Sequence, residues 1–299
     1  MKFSSQGTVG LLSAMLLLLL VVGIGVAASG PAADEAGIES TQCTIECKDV
    51  GESSGVAASW RHEGILWTHN DSGDSPRLFA MDQQGRHRQE VEISGAKHVD
   101  WEDIASYELD GRPQLLIADV GDNGRRRKEV VCYRVNEPKL GNKRIKVDQI
   151  WRIQYPDGPR DCEAVAVDVQ ERVILLASKV RNFAADVYSV PLETGEKDAK
   201  VMATRVGTIA MPMITAMDID PRNGRIVVAS YVDAMIFPRK QVAGGGKTDW
   251  EATFAQTPTL LRTPWRRQGE AICFDRYDDA VWLTSEKKPA PLIRVAAPR

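Results

Sequence analysis

From Cys43 onward, apolar and polar positions alternate in short runs broken by turn signals such as "DQQGR", "LDGRP", "PRNGR" and "AGGGK". No stretch there has the spacing of an amphipathic helix. The runs stack as repeats. Five times a short strand is followed by a turn and a second strand ending in polar residues. The pairs are "SGVAAS" with "ILWTHND", "EDIASY" with "LLIADVGDN", "EAVAVD" with "ILLASKV", "TAMDID" with "IVVASYV", and "EAICFD" with "VWLTSEK". The first strands anchor at Ser54, Glu102, Glu163, Thr215 and Glu270, spaced 48, 61, 52 and 55 residues apart. Further strands follow, as in "RLFAMD" then "RQEVEIS", giving about four strands per unit, the pattern of a propeller blade. An all-β chain is therefore expected, a β-propeller with five visible blades and six as the alternative. The last repeat is one strand short. "CTIECKDV" (Cys43 to Val50), ahead of the first repeat, is expected to supply it and close the ring.

In a blade the first strand lines the central channel and the second runs back beside it. The start of the first and the end of the second therefore share one face. The first-strand column is Ser54, Glu102, Glu163, Thr215 and Glu270. The second-strand column is His69, Asp119, Ser178, Ser230 and Ser285, followed by Asn70, Val120, Lys179, Tyr231 and Glu286. Three glutamates in one ring repel unless a cation neutralises them or some take up protons. Ca²⁺ accepts oxygen ligands of this kind, so Glu102, Glu163, Glu270 and Asp119 are candidate ligands and Ca²⁺ the candidate cofactor. Lys97, Arg160, Arg266 and Arg267 precede the acidic motifs, and Arg125 to Arg127, Lys179, Arg181, Lys287 and Lys288 follow the second strands. Carboxylates rimmed by cations suit an anionic ligand, for which Lys179, Arg160, Arg266 and Trp101 are candidate contacts. Alternatively the same glutamates pair with neighbouring arginines and only lock the blades together. His69, as general base, and Glu102 are the candidate catalytic groups, although a histidine there also suits simple packing. Trp101 either packs between blades or faces the ligand.

Two motif matches are discounted. "GESSG" (Gly51 to Gly55) has the spacing of a nucleophile elbow, which needs a following helix, whereas a strand follows here. "QVAGGGKT" (Gln241 to Thr248) has Gln241 where a phosphate loop begins with glycine, and is expected to be a hairpin loop. At the other end, Val9 to Ala28 is almost wholly apolar, with Lys2 before it and Val26-Ala27-Ala28 as a cleavage site. A run of about 20 residues also spans a bilayer. Residues 1–28 are thus either a cleaved export signal or an uncleaved membrane anchor, 29–42 a linker and 43–299 the propeller. The expected location is periplasmic or extracellular, with membrane contact only through an uncleaved anchor. A net charge of −3 without a long basic block argues against nucleic acid. Cys162 and Cys273 fall within apolar strands. Cys132 is a candidate disulfide partner for Cys43 or Cys47, and the odd count leaves a thiol over.

The stretches "LWTHNDSGDSPRLFAMD", "DWEDIA", "ADVGDN" and "YRVNEP" resemble a group of exported bacterial propeller proteins over Glu52 to Pro138. They are more loosely similar to phytase-like and calcium-dependent lactonase propellers. The phytase-like resemblance implies calcium at the channel mouth, with Glu102, Glu163 and Glu270 in fitting positions, and phosphate held by Lys or Arg. The lactonase pattern pairs one Glu with Asn and Asp, where this chain has Ser54 and Thr215. Both groups usually have six blades. Three functions follow as expectations. One is a metal-assisted hydrolase of a phosphoester or other anionic ester. Another is a non-catalytic propeller binding a protein, peptide or glycan at the cell envelope. The third is an anchored structural protein of the envelope.

Overall fold

A computed structural model describes residues 38–298, so the signal or anchor segment and most of the linker lie outside the described residues. Five antiparallel sheets form a five-bladed β-propeller. From channel to rim, blade 1 contains Ser53–Ala58, Ile65–Asn70, Arg77–Asp82 and His87–Ser94. Blade 2 contains Trp101–Leu109, Arg112–Asp119, Val130–Asn136 and Gln149–Gln154. Blade 3 contains Cys162–Asp168, Val173–Ser178, Ala185–Pro191 and Thr204–Ile209. Blade 4 contains Ile214–Ile219, Ile226–Ser230, Ala234–Phe237 and Thr259–Leu261. Blade 5 contains Gly269–Phe274, Ala280–Ser285 and Pro291–Ala296, and takes its outer strand, Ser40–Thr44, from the other end of the domain. The six-blade alternative is therefore excluded. The closing strand lies slightly earlier than expected, with Ser40 opposite Val295 and Thr44 opposite Pro291.

No single core holds the ring together. Five apolar clusters fill the five gaps between neighbouring blades. The reason lies in strand alternation: both faces of every sheet are covered, so alternate residues enter different gaps. On Arg112–Asp119, Leu115 and Ile117 face blade 1, while Leu116 and Ala118 face blade 3. Continuous apolar runs such as "VILLAS" follow from the same two-sided burial. Small residues on the inner strands, among them Ala57, Ala105, Ala166, Ala216 and Ala271, allow five strands to crowd around one axis.

Rim edges are covered by neighbours, which blunts their exposed backbone donors. Arg144–Lys146 adds in parallel to blade 1, and Asp198–Met202 to blade 2. A single helical turn, Trp250–Phe254, which the periodicity does not reveal, lies against Gly207 of blade 3. Its cap is Asp249, whose carboxylate accepts from the Ala252 amide at 2.9 Å. The Gln241–Thr248 segment closes as a hairpin loop through an antiparallel bridge. Among the described residues no helix is long and apolar enough to cross a membrane.

Candidate functional site

Every inner strand carries a β-bulge at the same place. The pairing with the second strand skips one residue between Ser53 and Gly55, Trp101 and Asp103, Cys162 and Ala164, Ile214 and Ala216, and Gly269 and Ala271. The skipped residues are Ser54, Glu102, Glu163, Thr215 and Glu270, the column expected to ring the channel. A bulged residue has no cross-strand partner, and its side chain is re-aimed. All five are buried.

The three glutamates do not behave alike. Glu163 pairs with Lys179 at 2.7 Å. Glu270 accepts from Gln268 Nε2 at 2.8 Å, and that amide also donates to Glu286 at 2.6 Å. Glu102 has a long contact from Ser54 Oγ, 3.5 Å, and lies within hydrogen-bonding reach of Glu163. Burial, then repulsion from Glu163, Asp71 and Asp100, pushes Glu102 well above the usual carboxylate range. Burial also raises Glu163, against the pull of Lys179, and takes Glu270 up to about 8 despite its bond from Gln268.

Glu102 gathers two acids absent from the expected ligand set. One carboxylate oxygen each from Asp71, Asp100 and Glu102 lies within 4.8 Å of the others. Asp71 follows the second strand of blade 1, and Asp100 precedes the inner strand of blade 2. Gly121 is the floor of this cluster. A Cβ there would collide with Glu102 Oε1 and Asp100 Oδ2, so glycine lets the carboxylates close in. Burial and Asp71 raise Asp100 to about 6, with Arg127 opposing. Asp119, an expected ligand, instead pairs with Arg127 at 2.8 Å and accepts from the Asp100 amide at 3.1 Å. Asn70 and Asp74 serve the loop: Asn70 Nδ2 donates to Asp74 at 2.6 Å, and Asp74 holds Arg77. Of the four expected ligands, only Glu102 joins the cluster.

A second acidic layer lies deeper in the channel, formed by Asp103 of "DWEDIA" and by Asp218, which nothing in the sequence marks. Asp103 Oδ2 accepts from the amides of Val165, 2.9 Å, and Met217, 3.3 Å, so one carboxyl joins blades 2, 3 and 4. Asp218 accepts from the Phe274 amide at 2.8 Å, and burial raises it to about 7.

The cations divide into two settings. A cavity of about 620 Å³ beside blade 3 is lined by Arg125, Arg160, Lys179 and Arg181 with Asp161 and Asp186. In it Arg160 is held by Asp157 and Asp186. Lys179 is raised despite its burial, chiefly by Glu163, and its ammonium lies 4.9 Å from the Tyr231 ring centre. Arg266 is buried and does not line that cavity, and none of its guanidinium nitrogens has a hydrogen-bond partner among the described residues.

Trp101 and His69 follow their packing alternative rather than the ligand-contact and general-base ones, and the candidate disulfide of Cys132 is corrected. Trp101 is fully buried between blades 1 and 2, donates to Lys97 O at 2.8 Å and packs on His69 and His98, so it faces no ligand. His69 is fully buried, and desolvation lowers it to about 4, so it is neutral and lacks access to act as a base at the mouth. Its place in the second-strand column belongs to Asn70, which pairs with Ser53 as Asp119 pairs with Trp101. All five cysteines are free. Cys132 lies between blades 2 and 3, whereas Cys43 and Cys47 pack between blades 5 and 1.

The sequence matches no protein-family model and no curated protein. Among solved structures it is similar to the major allergen Mala s 1 of Malassezia sympodialis, with 10% identity over 85% of this chain and 95% of that one, at a TM-score of 0.52. It is also similar to a glucose-dehydrogenase-type oxidoreductase from Thermus thermophilus, with 9% identity over 87% of this chain and all of that one, at a TM-score of 0.48. At these identities the likeness is one of fold alone.

Proposed function

We propose that this is an exported propeller whose channel mouth binds a divalent cation, calcium first, through Asp71, Asp100 and Glu102. With that ion it acts as a metal-assisted hydrolase of a small anionic ester, a phosphoester foremost. The observation that carries the proposal is the convergence of three carboxylates over Gly121, one of them buried and pushed towards its neutral form. Hard cations are held by such oxygen sets, and binding displaces the protons that repulsion keeps there. The resemblance to calcium-bearing propellers and the apolar Val9–Ala28 segment support the metal and the export respectively.

When bound, the cation would polarise an ester oxygen and orient a water molecule. The chain's own groups supply the rest. Asp71 and Asp100 hold the solvent side of the site and Glu102 its buried side. Glu163, paired with Lys179, lies within reach of a proton leaving Glu102. Arg125 and Arg181, without ion pairs among the described residues, are available to an anionic group in the neighbouring cavity. One observation favours the alternative, a non-catalytic propeller that binds an envelope protein, peptide or glycan. Phe183, Val232 and Trp265 are exposed on loops of the same face.

Melting the purified protein with calcium and with chelator, followed by a panel of phosphoesters and lactones, separates these functions. A hydrolase is expected to show a calcium-dependent rise in melting temperature and turnover, both lost in Glu102→Gln. Stabilisation without turnover favours the binding module, and no response to any divalent ion removes the metal site.

A further inference from the structure

Arg266 is an unusual arginine. It is only 5% exposed, and Nε, Nη1 and Nη2 are all buried without a hydrogen-bond acceptor among the described residues. A guanidinium presents five donors in a planar fork and remains charged in proteins, so such a site lacks an acceptor that the chain does not provide. Burial lowers Arg266 only to about 10, which leaves it charged at neutral pH. The nearest acid does not compensate. Glu270 forms no ion pair with it, is occupied by Gln268, and is itself raised to about 8 by burial, so near neutrality it carries little negative charge. The berth is shaped for the guanidinium. A Cβ on Gly269 would lie 2.6 Å from Cζ and 2.8 Å from Nη1 and Nη2, so only glycine lets the group lie against the backbone. That backbone is fixed in turn, since Gly269 N donates to Tyr231 O at 3.2 Å and Gly269 O accepts from Thr215 at 3.2 Å.

We propose that Arg266 is the receptor for the carboxylate group of a small monoanionic ligand at the channel mouth. A carboxylate matches the two-pronged geometry of the guanidinium. Its single charge balances the single buried cation. A dianionic phosphate would carry one more negative charge than the single guanidinium balances, and burying that excess charge is costly. Trp265, next in the chain and 79% exposed, offers an apolar surface to the rest of the ligand. This site needs no metal and shares no residue with the Asp71–Asp100–Glu102 cluster, so it survives if the cation assignment fails.

The test keeps chelator present throughout, which separates the two proposals. Melting curves of the full-length protein are recorded in increasing acetate, benzoate and inorganic phosphate, against sodium chloride at matched ionic strength. Wild type is expected to show a saturable rise of several degrees with benzoate, and less with acetate. Phosphate should do no more than chloride. Arg266→Met, which keeps the packing on Gly269, should melt no lower than wild type without ligand and show no benzoate response. Glu102→Gln should retain that response. A structural arginine predicts the reverse: a lower melting temperature in Arg266→Met and no saturable carboxylate response in wild type. Absence of that wild-type response overturns the proposal whatever the variant's stability, as does a benzoate response that persists in Arg266→Met.

Discussion

The two faces of the propeller use acids differently. On the face opposite the mouth, acids at the strand ends are locked by arginines and local donors. Asp168 meets Arg239 at 2.7 Å, and Asp220 meets Arg222 at 3.1 Å and Arg225 at 3.2 Å. Asp275 accepts from Trp282 Nε1 at 2.9 Å and from the amides of Tyr277 and Asp278. Each of these acids ends an inner strand or follows it, and ties off the turn to the next strand. At the mouth, Glu163 has Lys179 and Glu270 has Gln268, but Glu102 and Asp100 lack a close donor among the described residues, and Glu102, Asp100 and Glu270 are all pushed above their ordinary range. Buried acids are thus not in themselves a sign of function. Acids short of donors on one face, while those on the other are paired, are the informative contrast.

The largest effect that tests this contrast comes from the locked face. Asp220→Ala leaves Arg222 and Arg225 without their shared carboxylate and should cost about 3 kcal/mol, as expected for breaking a buried pair. Melting should fall by roughly 6–10 °C, with or without calcium. Next is Glu102→Gln, which mimics the protonated acid. Its melting temperature in chelator should match or exceed wild type, while the stabilisation by calcium disappears. If Asp220→Ala costs no more than Glu102→Gln in chelator, the two faces do not differ as described. A smaller effect is set by pH. Glu270 titrates at about 8 in the folded protein, against 4.5 for the ordinary group, so the folded state holds the extra proton between those values. Stability must then fall as pH rises through that window. Metal-free protein should melt on the order of a few degrees lower at pH 8.5 than at pH 5.5, and Glu270→Gln should remove part of that slope, the remainder coming from the other raised acids such as Asp218 and Asp100. Finally, since all five cysteines are free, reductant should leave the melting temperature unchanged.

Much of the fold was legible because a propeller repeats one local pattern. The five apolar hairpins, the closing N-terminal strand and the ring column of Ser54, Glu102, Glu163, Thr215 and Glu270 all follow from strand periodicity. What escaped depended on local irregularity or distant pairing. Simple alternation puts Trp101 and Ile104 on opposite faces, yet the bulge at Glu102 sends both into the gap between blades 1 and 2. That reversal moves Trp101 from candidate ligand contact to core. The first hairpin is one residue out of step with its counterparts in blades 3, 4 and 5, so strand spacing alone points to His69 where Asn70 belongs. Asp103 stands out only as part of the acidic string "DWEDIA" and Asp218 looks like an ordinary strand residue, and their amide partners belong to other blades. The pairing of Asp168 with Arg239, more than one blade away in sequence, leaves no local trace. Asp71 and Asp100 lie within the quoted strings "ILWTHND" and "DWEDIA", but only the fold brings them to Glu102.

The sharpest check on the carboxylate cluster is calorimetric titration of calcium into metal-free protein at pH 7, in two buffers of different ionisation enthalpy. Saturable binding at one site with net proton release is expected, because the ion displaces protons held by Glu102 and its neighbours. Glu102→Gln should abolish both. Absence of binding heat in both buffers, or equal binding by Glu102→Gln, would contradict a cation site at the channel mouth.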